Sequence, residues 1–269
     1  MQDFIITQKN NIWWGMFPRL MQAGFGNACS CRLHGESDMV PGTLNLALHV
    51  GDEVELVLQN RRLFAQALGL DASKFTTCEQ VHGSNVAVVD EALVGAGATT
   101  LADTIKDTDA LVTNLANVPL LLFFADCVPL LFADERQGVC AVAHAGWRGT
   151  VASIAAHTVS LMTDSPQHMH AIIGPGISLQ RFEVGDEVYD AFRQAGFPME
   201  LIARRFPCNG GGEKWHIDLW KANRWQLREA GVEDIFVQGI CTMSSPELYS
   251  ARRETINTGR NMNGIFINQ

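Results

Sequence analysis

The chain has 269 residues, 47% of them hydrophobic, and a formal net charge of -9. That composition supports a sizeable core, while the acidic balance argues against duplex nucleic acid or an anionic membrane surface, both of which call for a basic face. The longest strongly apolar run, 118–125, is far short of the ~20 residues a membrane-spanning helix needs.

The opening segment MQDFIITQKNNIWWGMF has no basic stretch followed by a long apolar run, so no secretory signal is expected. Residues 54–68 (VELVLQNRRLFAQAL) carry apolar side chains at helical spacing and are followed by Gly69, which predicts an amphipathic helix with a glycine stop. Short strands are expected at 85–90 (NVAVVD) and 109–113 (DALVT). Apolar runs at 118–125, 128–133 and 138–144 also have strand length, and DERQG between the last two reads as a turn. Alanine-rich 150–162 predicts a helix. A strand at 169–173, the turn Gly174-Pro175-Gly176, a helix at 184–195, an amphipathic helix at 218–230 and a strand at 235–238 follow. The glycines at 210–212 read as a mobile loop able to act as a lid. Strands and helices alternate without a strict βαβ beat, which favours α+β with mixed sheets over a doubly wound parallel fold. Nothing marks a boundary, so one domain over 1–269 is expected.

Seven cysteines occur, an odd number with no CxxC pair, and reduced thiols in a cytoplasm are the simplest reading. Three polar groups stand beside the apolar strands: His82 in CEQVHGSNVAVVD, Cys127 between two apolar runs, and His144 at the end of GVCAVAH. Two imidazoles and a thiolate suit zinc or copper, and three protein ligands leave a fourth position open, as in catalytic sites. No close spacing links the three, and each is also an ordinary core residue type. Arg148, where glycines lead from a strand into a helix, is a candidate anion contact, as is the basic cluster Arg252, Arg253 and Arg260. Asp126 could orient a ligand histidine or move a proton, or simply cap a turn.

Assembled, these segments resemble the YfiH/FAMIN family of laccase-domain or "multicopper polyphenol oxidase" proteins. The resemblance rests on LNLALHVGDE (44–53), NRRLFAQALGL (60–70), QVHGSNV (80–86), TDALVT (108–113), ADCVPLLFAD (125–134), VAHAGWRGT (142–150), IGPGIS (173–178), FEVGDEV (182–188) and TGR (258–260), in that order along nearly the whole chain. It implies a single α+β domain layered α/β/β/α, with His82, Cys127 and His144 as the metal-binding and catalytic triad. It also implies purine nucleoside phosphorylase activity, with adenosine deamination and methylthioadenosine cleavage. Zinc is then the expected cofactor and copper the alternative, with purine nucleosides and phosphate as small-molecule partners. Three blocks depart from the family pattern. Gly176 stands where the family often has cysteine, 250–254 lack the usual tyrosine, and the N-terminal block is blurred into 30–35.

The oxidase label needs a blue-copper site plus a trinuclear cluster. Eight histidines with one His-x-His pair, His168 and His170, are too few for that, although copper at a single His–Cys–His site could oxidise phenols weakly. A metal-free Cys127–His144 hydrolase, a peptidoglycan-editing role and a non-catalytic binding module remain as alternatives. For phosphorolysis, Arg148, Asp126 and Arg253 are the candidate substrate and phosphate contacts.

Overall fold

The helix Val54–Leu68 forms as its spacing predicts, and Gly69 ends it in the left-handed conformation at φ 73°. Glycine reaches that conformation without steric cost, and its N–H caps the carbonyls of Ala65 and Gln66. In this computed structural model, which describes residues 3–40, 42–208 and 211–268, the helix covers one face of a five-stranded sheet. Its strands run Ile5–Lys9, Ile12–Met16, Phe25–Ser30, Asn261–Ile267 and Leu120–Phe124 across the sheet. A six-stranded sheet packs behind it, in the order Asp234–Val237, His170–Ile173, Val128–Asp134, Val139–Ala145, Ala110–Thr113, Val86–Val88. Two pairings in this second sheet are parallel and the rest antiparallel, so it is mixed.

Alternation along the central strands makes three apolar layers. Leu121 and Phe123 face the helix with Phe64, Leu44 and Met262. Leu120, Leu122 and Phe124 face the other way, against Leu131, Val142 and Ile172 of the second sheet. Leu130, Phe132, Ala141 and Ala143 then face Ile154, Val159, Leu219 and Leu227 of the outer helices Ile154–Met162 and Leu219–Glu229. The result is helix, sheet, sheet, helix. Strands buried on both faces read as continuous apolar runs, which is why these were visible in the sequence. Burying Phe64 completely contributes about 2–3 kcal/mol.

Some expectations change. The helix expected at 150–162 is two helices, Trp147–Val151 and Ile154–Met162, broken at Ser153 with φ 65°. Gln226 from the neighbouring helix bonds the Thr150 carbonyl at 3.1 Å and helps hold the break. Residues 184–195 begin as the short strand Glu183–Val184 and become helical only over Asp186–Gln194. That strand joins a small third sheet with Glu213–Ile217 and Ala203–Pro207. Of the 210–212 glycine run, Gly210 lies outside the described residues; Gly211 and Gly212, both with positive φ, precede Glu213 of this sheet. Among the described residues, no helix is long and apolar enough to cross a membrane.

Candidate active site

The chain passes from the first sheet to the second within three residues. Phe124 ends one strand, Val128 begins the next, and Asp126 makes the crossing at φ 90°. Cys127 thus lies at the open edge of the layer between the sheets. His144, near the end of its strand and 3% exposed, packs its ring against Phe124 at 5.4 Å. His82 arrives on a loop, itself left-handed at φ 61°. Its ring meets that of His144 edge-on at 4.7 Å.

Asp109 holds this geometry together, and sequence reasoning did not single it out. Fully buried, its carboxylate accepts the backbone N–H groups of Val81, His82 and Gly83 at 3.1, 3.0 and 2.7 Å. The same carboxylate lies 2.8 Å from His144 Nδ1. One group therefore fixes the His82 loop and orients His144, whose Nε2 is left for the centre. The available signal was a carboxylate opening an apolar strand in TDALVT, since a buried charge must find partners.

Among the described residues, His82, Cys127 and His144 form the one group of three or more His, Cys, Asp or Glu side chains able to hold a single ion, with ligand atoms within 4.8 Å of one another. The nitrogen–sulfur–nitrogen donor set fits zinc or copper. Gly146 supports the fit. A Cβ there would lie 2.9 Å from Cys127 Sγ and 3.2 Å from the His82 ring, so only glycine lets these ligands close up. Its φ of -67° and ψ of 170° suit alanine equally well, which makes Gly146→Ala a clean steric probe. The substitution is expected to lower metal affinity and turnover by ~10- to 100-fold, with little change in melting temperature, read by metal titration and thermal denaturation.

Charge reinforces the arrangement. Burial alone would raise the Cys127 thiol, but His144 and His82 outweigh it and bring the thiol down to about 6. Burial alone would lower His144, but Cys127 and Asp109 outweigh it and raise the imidazole to about 9. Burial likewise works against the Asp109 anion, yet His144 and the Gly83 and Val81 amides hold its carboxyl below the usual range. Cys140, inside an apolar strand, is driven well upward by burial alone.

The other candidates stand elsewhere. Asp126 does not bond a ligand histidine. Its carboxylate accepts from Thr242 Oγ1 at 2.6 Å and Arg252 N–H at 2.7 Å, stapling the crossing to the C-terminal segment. Arg253 directs its guanidinium to the carbonyls of Thr242, Ser245 and Leu248. Arg148 is exposed, with its guanidinium 5.0 Å from the Trp147 ring centroid. The helix that starts beside it has five residues, too short for much macrodipole. Gly176 pairs in an isolated bridge with Cys241, so a thiol stands opposite the position where the family often has cysteine.

A family profile described as multi-copper polyphenol oxidoreductase laccase matches residues 26–268. A purine nucleoside phosphorylase from Bacteroides thetaiotaomicron is 38% identical over 84% of this chain and 86% of its own length. Adenosine deaminase RL5, from an unknown prokaryotic organism, is also 38% identical, over 83% of this chain and 86% of its own. The crystal structure of YlmD from Geobacillus stearothermophilus superposes with a TM-score of 0.90 at 34% identity, covering 98% of this chain and 99% of that one. With the layered fold and the length of these matches, the chain belongs to the multi-copper polyphenol oxidoreductase laccase family, alongside YlmD and YfiH.

Proposed function

We propose that this protein is a purine nucleoside phosphorylase that also deaminates adenosine and cleaves methylthioadenosine, working at a metal centre on His82, Cys127 and His144. The observation that carries the reading is the convergence of those three ligand atoms within 4.8 Å, beside an Asp109 that orients His144. Relatives named as phosphorylase and as deaminase support the same assignment.

Zinc is the proposed ion, with copper the alternative. Bound there, it supplies Lewis acidity and lowers the pKa of water toward neutrality. The chain's residues do the rest. Asp109 keeps His144 Nδ1 occupied and the imidazole correctly turned. Cys127 provides an anionic ligand already deprotonated near pH 7. Apolar neighbours, Phe124 among them, keep His144 from bulk water.

The deciding experiment incubates metal-analysed protein with inosine and adenosine, with and without phosphate, beside Cys127→Ala. Hypoxanthine release from inosine that requires phosphate, inosine from adenosine that does not, and loss of both in the variant are expected. No purine turnover in the wild type, or equal turnover in the variant, sinks the proposal. A second reading, a metal-free hydrolase, draws on the Cys127–His144 ion pair. It predicts activity that survives chelation, whereas the metal reading predicts its loss. Copper-dependent phenol oxidation would use the same centre. Of the His-x-His pair, His168 is exposed and His170 Nδ1 is bound to Asp234 at 2.6 Å, and neither joins the ligand group.

A further inference from the structure

A phosphorylase needs a place for phosphate, and of the arginines chosen from sequence Arg148 and Arg253 are poorly suited to it. Arg253 is paired with the Glu254 carboxylate as well as bonded to loop carbonyls, and Arg148 lies out in solvent. The opposite bank of the centre is built differently. Arg260 immediately precedes the strand Asn261–Ile267, whose Asn261 pairs with Phe124, the residue from which the chain turns into Asp126 and Cys127. Topology therefore sets Arg260 at the same sheet edge as Cys127. Its backbone N–H bonds Asn45 Oδ1 at 3.1 Å, tying it to the buried 44–50 loop.

That loop is itself braced. Asn60 Nδ2 donates to the Asn45 carbonyl at 2.9 Å, and buried Arg61 Nε donates to the Leu46 carbonyl at 2.8 Å. From this loop the His49 ring lies 5.9 Å from that of Phe123, on the helix-facing side of the strand, and within electrostatic reach of His144 and His82. His49 remains exposed, yet partial burial and the surrounding Arg260, His144, Arg61 and His82 hold its imidazole below the ordinary value. Burial acts against the Arg260 cation too, and the charges supporting it are Cys127 and Asp126. Both Asp126 carboxylate oxygens already accept hydrogen bonds. In a chain of net charge -9, Arg260 and Arg61 bring positive charge toward this edge, and a His49 held neutral adds ring nitrogens rather than a charge. The Arg260 guanidinium is clamped by the carbonyls of Ile256, Thr258 and Gly259 through its Nη atoms. Among the described residues no bond uses its Nε–H. That N–H therefore remains to donate to an oxyanion.

We propose that Arg260 and His49 form the phosphate-holding bank of this site, binding inorganic phosphate across from His82, Cys127 and His144 for transfer to the nucleoside sugar. This rests on the purine phosphorylase reading. A phosphate oxygen forms the bond to C1′ as the C1′–N9 bond breaks. The base leaves with that electron pair and takes the proton carried in by hydrogen phosphate.

The test compares wild type, Arg260→Gln, Arg260→Lys and Arg148→Gln for phosphate-dependent inosine cleavage and phosphate-free adenosine deamination. Arg260→Gln should raise the phosphate KM by ~30-fold or more and lower the ratio of phosphorolysis to deamination by ~10-fold or more, with Arg260→Lys between. An unchanged phosphate KM, a parallel fall of both activities, or a KM rise confined to Arg148→Gln overturns it. A separate readout is protection of Cys127 from iodoacetamide by phosphate in metal-stripped protein, expected in the wild type and lost in Arg260→Gln. If the wild type turns over no purine, the phosphorylase reading falls by itself. Protection then decides the anion site, and its absence overturns that too.

Discussion

In metal-stripped protein, Cys127 is expected to react with iodoacetamide along a titration curve centred near pH 6, while Cys140 stays inert. At pH 7 an ordinary thiol with a value of 9.0 is ~1% thiolate, against ~90% for a thiol near 6, a difference of ~100-fold in reactive fraction. Lower basicity blunts nucleophilicity, so the expected gain in rate is ~3- to 6-fold. The cause is local, because Cys127 and His144 each stabilise the charged form of the other.

The same contact sets a stability window. The folded value of Cys127 lies below its unfolded one, so its contribution is present above the unfolded value and is lost as pH falls through about 6. The folded value of His144 lies above its unfolded one, so its contribution is full below 6.5 and is lost as pH rises through about 9. Both partners are charged between those limits. The melting temperature lost on Cys127→Ala in stripped protein should be largest there. Metal capture at pH 7 should then displace the His144 proton, because coordination needs a neutral imidazole, whereas the thiol proton has largely gone already. An alkylation midpoint above pH 8, or one that does not move in His144→Ala, contradicts the ion pair.

The parts of the molecule legible in the sequence are those where local pattern and tertiary environment agree. The helix Val54–Leu68 carries its own stripe and its own glycine stop. The strands Leu120–Phe124 and Val128–Asp134 are buried on both faces and need no alternation to be recognised. By contrast, NMNGIFI is poor in strand formers at its start, and it becomes the strand Asn261–Ile267 because Phe25–Ser30 and Leu120–Phe124 flank it. The triad came together through the family resemblance, since His82, Cys127 and His144 follow no short motif. Asp109 and His49 stayed hidden for a related reason. Each lies in a block that was recognised, but their partners are distant in sequence and meet only in the folded edge.

Asp109→Ala is expected to lower unfolding free energy by ~3–5 kcal/mol, because it strands a buried His144 and three backbone N–H donors at once. Metal affinity should fall by ~10- to 100-fold, the usual cost of losing the group that orients a ligand histidine. A loss of fold alone could produce both effects, so Asp109→Asn is the sharper measurement. The amide keeps the size of the carboxylate and one acceptor oxygen, and it retains part of the support for the His82 loop. It removes the charge that makes His144 basic, and its NH2 faces donors it cannot accept from. Metal affinity in Asp109→Asn should therefore fall further than its melting temperature would suggest. The alkylation midpoint of Cys127 should also rise above about 6, because a less basic His144 supports the thiolate less. A purely structural Asp109 would move stability and leave that midpoint in place. A centre whose ligands are oriented through one buried carboxylate must move both.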